Sequence, residues 1–91
     1  MNKADLVNLM AERADISKAQ ATKSLDALLD GITKALQDGD KVTLVNFGTF
    51  MVAERAARTG RNPRTNQEIQ IAAKRVAKFK PGKTLSDSVA E

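Results

Sequence analysis

Phe50–Ile71, FMVAERAARTGRNPRTNQEIQI, decides how this chain is built. Arg55, Arg58, Arg61 and Arg64 stand three residues apart, which is a helical spacing. Gly60 weakens a helix, however, and Pro63 lacks the amide donor that a helix interior requires, so the stretch reads as extended. Along a strand of period two, Arg55 and Arg61 point to one side and Arg58 and Arg64 to the other. A ribbon cationic on both faces is not packing on a core. The simpler alternative is a solvated basic loop, because most charge runs only keep a surface wet. Asn62-Pro63-Arg64-Thr65-Asn66 has the residue types of a turn. The stretch is then the tip and one limb of a long hairpin that returns through Gln67 to Ile71. Isolated hairpins are marginal in water, so this one needs something to lie against.

Outward from the hairpin the apolar period changes. Val42 and Leu44, Phe50 and Val52, and Ile69 and Ile71 alternate with other residues and predict three strands, with Phe47 in a tight Asn46-Phe47-Gly48 link. Upstream, Asn2 caps a helix through MNKADLVNLMAERA, with Asp5 in its first turn and Leu6, Leu9 and Met10 as its core positions. Ser17 and Gln20 form a capping box that starts a second helix, and Gly39 ends it. That helix carries the stripe Leu25, Leu28, Leu29, Ile32, Ala35 and Leu36, longer than one short helix can cover. It should meet another surface. After Pro81-Gly82 a short terminal helix stacks Leu85 on Val89. The fold class is α+β: a helical base of two N-terminal helices, a three-stranded antiparallel sheet extended into a β-ribbon arm, and a short C-terminal helix.

Ninety-one residues make one domain, which at this size buries only roughly 60 to 65% of its unfolded surface. With no cysteine, histidine, tyrosine or tryptophan, the chain lacks thiols, the commonest general base and the commonest zinc ligand. An enzyme is not expected, nor a metal or cofactor; Asp38 and Asp40 around Gly39 more simply terminate a helix. Asp5 and Glu12 interrupt any signal-peptide core, and the longest apolar run is Phe50 to Ala53, so the protein is expected to be cytoplasmic and free of membrane. Charge is divided unevenly. Residues 1–46 hold six Lys/Arg against seven Asp/Glu, and residues 47–91 hold nine against four. Between Arg55 and Lys83 the only acid is Glu68. Such asymmetry points to a polyanionic partner, nucleic acid above all.

A two-stranded ribbon can enter a DNA groove, where cations on both faces meet the phosphates of both flanking strands; arginine also suits a narrow, electronegative minor groove. Pro63 reads in two ways. It is a turn-former, which the local sequence alone favours, or a stiff apolar wedge that unstacks a base step and kinks the duplex.

Asn46-Phe47-Gly48-Thr49-Phe50, the run Arg55 to Thr65 with its R-x-G-R-N-P-x-T tip, and Phe79-Lys80-Pro81-Gly82-Lys83 together resemble the bacterial HU and integration host factor family over the whole chain. That family is itself among the type examples of architectural minor-groove proteins. The resemblance implies an intertwined dimer whose two arms clasp double-stranded DNA, each tip proline intercalating. Residues 1–40 would then be a helical dimerisation base, 41–80 the sheet and DNA-binding arm, and 81–91 the C-terminal helix. Carried over residue by residue, the DNA contacts are Arg55, Arg58, Arg61, Asn62, Pro63, Arg64 and Thr65 on the arm, Lys74, Arg75, Lys78, Lys80 and Lys83 on the saddle or flanks, and Lys3 from the first helix. Leu29, Ile32, Leu36, Leu44, Phe47, Phe50 and Phe79 are assigned to the dimer core; with only three aromatics, base stacking by the phenylalanines is rejected in favour of packing. Thr59 and Thr65 either bond phosphate or simply form strand. Asn46 and Asn66 replace glycines frequent in the family, which asparagine can do because it tolerates left-handed backbone. Ala77 stands where proline is common, and the terminal helix carries less positive charge than in many relatives.

The implied function is to bind, bend and compact duplex DNA in the nucleoid with little sequence preference. The alternatives are a site-specific bender of the integration host factor type, whose specificity would rest on DNA deformability, and an RNA-binding protein, which this chain lacks the exposed aromatics to favour. The partner subunit is a second copy or a paralogue.

Overall fold

Two capping boxes start the first two helices. In the computed structural model, which describes residues 1–90, α1 runs Lys3–Ala14 and α2 runs Lys18–Gln37. Asn2 Oδ1 accepts from the Asp5 amide at 3.0 Å while Asp5 Oδ2 accepts from the Asn2 amide at 3.0 Å. Ser17 and Gln20 exchange the same pair of bonds, at 3.1 and 3.0 Å. Each box satisfies two amides that the first turn would leave without partners. At the other end of α2 the Asp40 amide bonds Ala35 O at 2.9 Å and the Gly39 amide bonds Leu36 O at 3.0 Å, with Gly39 at φ +78°. This paired closure needs a left-handed residue, which is why the helix stops at a glycine.

Residues Met1–Lys34 form one compact unit. Its core is Val7, Ala21 and Leu25, with Met10, Ala11 and Ile16 packed against it. Val7, not Leu6, takes the buried place on α1; Leu6 is 39% exposed. The Val7–Ala11 row and the Ala21–Leu25 row are both i, i+4 pairs, so each helix turns one row of its side chains into this small cluster. Leu28 and Leu29, from the stripe of α2, are each 46% exposed.

The chain from Ala35 onward forms the second unit. Alternation predicts three strands, whereas the described residues form five: β1 (Val42–Leu44), β2 (Gly48–Arg55), β3 (Arg58–Arg61), β4 (Glu68–Ile71) and β5 (Lys74–Pro81). They make a three-stranded antiparallel sheet in the order β1-β2-β5 and a separate ribbon β3-β4. Ile69 and Ile71 therefore belong to the ribbon, and the third strand of the sheet is β5. Both limbs of the hairpin are interrupted at the same height, by Ala56-Ala57 on one and Ala72-Ala73 on the other.

The link between β1 and β2 holds Asn46 at φ 67°, and the Phe47 amide closes it on Leu44 O at 2.9 Å. Gly48 is buried, and a Cβ there would lie 2.5 Å from the Phe79 ring and 2.7 Å from Lys80 O. Only glycine lets Phe79 cross the strand at this point. Phe79 stands at the centre of an aromatic row, its ring centroid 4.8 Å from that of Phe50 and 5.5 Å from that of Phe47. After Gly82, whose amide bonds Phe47 O at 2.8 Å, α3 runs Lys83–Val89. The terminal segment expected over 81–91 ends at Glu91, outside the described residues. Among the described residues no helix is long and apolar enough to cross a membrane.

Candidate nucleic-acid interface

Directly opposed residues of an antiparallel pair share a face, so the register sorts the side chains of β2 and β5. Gly48↔Pro81, Phe50↔Phe79, Val52↔Ala77 and Glu54↔Arg75 occupy one face; Thr49↔Lys80, Met51↔Lys78, Ala53↔Val76 and Arg55↔Lys74 occupy the other. The second face thus carries Arg55, Lys74, Lys78 and Lys80 without an acid, and the first carries the phenylalanines. A sheet with one apolar and one cationic face can pack on the former and offer the latter to a polyanion. Thr43 and Thr49 extend the cationic face at its far edge, their hydroxyls 3.4 Å apart. Sequence reasoning misses this threonine pair, although counting by twos from Phe50 places Thr49 opposite the apolar side.

Where the sheet meets the ribbon, Arg55, Arg58 and Lys74 surround a hollow of about 390 Å³ walled by Ala56, Ile71 and Ala72. Three cations around small apolar residues make a concave, positive seat. Beyond it, Arg58↔Ile71 and Gly60↔Ile69 form one face of the ribbon, and Thr59↔Gln70 and Arg61↔Glu68 the other. Arg58 and Arg61 do lie on opposite faces, as period two requires. Arg64 sits in the turn beyond the strands.

The tip is closed by its own backbone. The Asn62 amide bonds Gln67 O at 2.8 Å and the Asn66 amide bonds Asn62 O at 2.7 Å, with Asn66 at φ 60°. Asn62 Oδ1 accepts from the Arg64 amide at 2.9 Å, and Thr65 Oγ1 from the Gln67 amide at 3.4 Å. Asn62 and Thr65 thus shape the turn, and Arg61 Nη1 donates to Asn66 Oδ1 at 3.3 Å across it. Pro63 is exposed at the apex.

Three of the expected contacts stand elsewhere. Arg75 is on the phenylalanine side of the sheet, with its Nη2 donating to Leu36 O at 3.2 Å. Lys83 opens α3 and is exposed. Lys3 belongs to the helical unit, its Nζ 2.6 Å from Asp26 Oδ1. None of the residues assigned to a dimer core is buried within the chain: Leu29, Phe47 and Phe79 are 40–46% exposed, and Ile32, Leu36, Leu44 and Phe50 are half-buried.

A family described as "Bacterial DNA-binding protein" matches residues 1–90. DNA-binding protein HU-alpha of Vibrio proteolyticus is 60% identical over 89 residues, spanning 98% of this chain and 99% of its own. DNA-binding protein HU-beta of Escherichia coli K12 is 56% identical over the same shares. Among solved structures, an Anabaena HU–DNA cocrystal matches with a TM-score of 0.92 at 50% identity, over 99% of this chain and 98% of that one. HU from Thermotoga maritima matches with a TM-score of 0.71 at 35% identity, over 98% of both chains.

Proposed function

Because this chain belongs to the HU family of bacterial DNA-binding proteins, we propose that it is an architectural protein that binds and bends double-stranded DNA with little regard to sequence. The observation that carries this reading is the register of β2 and β5, which gathers Arg55, Lys74, Lys78 and Lys80 on one acid-free face. Phosphate contacts position a protein without reading bases, so a face of this kind holds a duplex indifferently. Arg58, Arg61 and Arg64 extend the contact along the arm, and Lys83 reaches a flank. Lys3 is already paired with Asp26 at the surface. The protein works on chromosomal DNA in the nucleoid.

It does so as a dimer. Among the described residues only three apolar side chains are buried, and no large side chain is fully buried. A core of that size does not offset the entropy of ordering about ninety residues. A second copy laid over Phe47, Phe79 and the stripe of α2 would supply the missing burial. Residues 1–40 serve as the dimerisation base and 41–80 as sheet and arm, with the terminal helix Lys83–Val89 beyond them.

Pro63 does the bending. Its turn is already closed by the bonds of Asn62, Asn66 and Gln67, none of which needs a proline, so the exposed ring is free to enter a base step. Unstacking costs about a few kcal/mol per step, and a nicked duplex has met part of that already. Pro63→Ala should therefore weaken binding to intact DNA by roughly tenfold or more and to nicked DNA by less. Energy transfer between labelled duplex ends reads the bend. An alanine variant that bends intact DNA as sharply as wild type would reduce Pro63 to a turn-former. Competition between duplex DNA and RNA tests the wider reading: equal affinity for both would count against a DNA-bending protein.

A further inference from the structure

Arg75 has the charge of a DNA contact and the position of a fastener. It lies on the face opposite Lys74, Lys78 and Lys80, directly across from Glu54. Its Nη2 reaches the carbonyl of Leu36, which already accepts from the Gly39 amide at 3.0 Å. Both lone pairs of that carbonyl are then engaged, one of them by a guanidinium at the negative end of α2. The guanidinium lies beside the glycine closure, 3.7 Å from where a Cβ on Gly39 would stand, an ordinary contact distance.

The place of this bond in the sheet gives it a consequence. β1 pairs with β2 only from Gly48 to Phe50, so from Met51 to Arg55 the β2-β5 ladder is two strands wide. Two-stranded ribbons are marginal by themselves. Among the described residues, Arg75 to Leu36 is the side-chain hydrogen bond that ties this narrow part to another element. It does so within two residues of the Ala72-Ala73 interruption, where the arm begins.

We propose that Arg75 is a positioning residue for DNA bending, which fixes the root of the arm to the last turn of α2 and touches no phosphate. With the root fixed, the arm leaves the sheet in one direction and the tip proline arrives at a defined step. Without it the root is a loose ribbon, the tip samples many directions, and the bend becomes shallower and more variable. The proposal rests on the DNA-bending reading of the arm.

The test compares Arg75→Ala, Arg75→Lys and Arg58→Ala with wild type, at a temperature where circular dichroism shows all four folded. Three quantities are read: the slope of log affinity against log salt, the bend angle, and the ratio of affinities for intact and nicked duplexes. Arg58→Ala should lower the slope by about one unit for each phosphate that is no longer neutralised. Arg75→Ala should leave the slope unchanged, broaden the bend-angle distribution, and shift the intact-to-nicked ratio roughly five- to tenfold towards nicked DNA, as the loss of one exposed hydrogen bond would. Arg75→Lys keeps a donor for Leu36 O and should recover part of the shift. A slope lowered by Arg75→Ala with the bend intact would overturn the proposal in favour of a phosphate contact. An unchanged slope with an unchanged bend would overturn it in favour of mere stability. Should Arg75→Ala not fold, Arg75→Gln, which keeps a donor for Leu36 O without the charge, carries the comparison, and a lowered salt slope with a bend and ratio identical to wild type would overturn the proposal. A wild type that does not bend DNA would instead remove the reading on which the proposal rests.

Discussion

Raising salt from about 50 to 200 mM should lower the affinity for duplex DNA by roughly 10³- to 10⁵-fold, if about six to ten phosphates are neutralised. The estimate follows from the faces of the strands. Each chain presents Arg55, Lys74, Lys78 and Lys80 on the sheet and Arg58, Arg61 and Arg64 on the arm, so two chains offer more cations than that range requires. Each phosphate contacted releases condensed counterions, and the gain from that release shrinks as the bulk salt rises. Because the contacts carry no sequence information, the slope should be the same for unrelated duplexes. Filter binding or anisotropy across a salt series measures it. An affinity indifferent to salt would refute the electrostatic account.

Phe47→Asp should abolish the fold and not merely separate subunits. Phe47 packs on Phe79, which Gly48 admits across the strand, and it is still 45% exposed within the chain. In the proposed dimer that exposed part would be covered. An aspartate there exchanges the ring for an unpaired carboxylate in apolar surroundings, a loss of several kcal/mol from a total of about 5 to 15. With Val7, Ala21 and Leu25 as the only buried core among the described residues, a released monomer has nothing to fall back on. Far-ultraviolet dichroism should show little helix at any temperature, and the melting point of the wild type should rise with protein concentration. A variant that sediments as a compact, helical monomer would contradict the shared core.

What can be read from the residues alone is local chemistry. Asn2 with Asp5, Ser17 with Gln20, and Gly39 each satisfy backbone groups within a few positions, so their caps appear where expected. Asn46 and Asn66 adopt the left-handed backbone for which asparagine substitutes for glycine. The strand β5 is hidden because its cationic face sets Val76 among Lys74, Lys78 and Lys80 while its other face sets Arg75 and Ala77 beside Phe79, which blurs the alternation. Val7 outranks Leu6 in burial because the helix contact is centred on small residues that periodicity scores weakly. Arg75 cannot be separated by sequence from its cationic neighbours, since its partner is a backbone carbonyl 39 residues away. Long-range pairing leaves no mark in a window of sequence.

The twin alanine interruptions divide the hairpin into two ladders that share no rung. Backbone cooperativity stops at such a division, so the outer ladder can open and close while the inner one stays shut. For the free protein this division should make the arm a local unfolding unit of low protection. Part of its ordering would then be deferred until a duplex is bound. Deferred ordering lowers affinity for each unit of surface covered, and in return lets one short segment settle against grooves of different width.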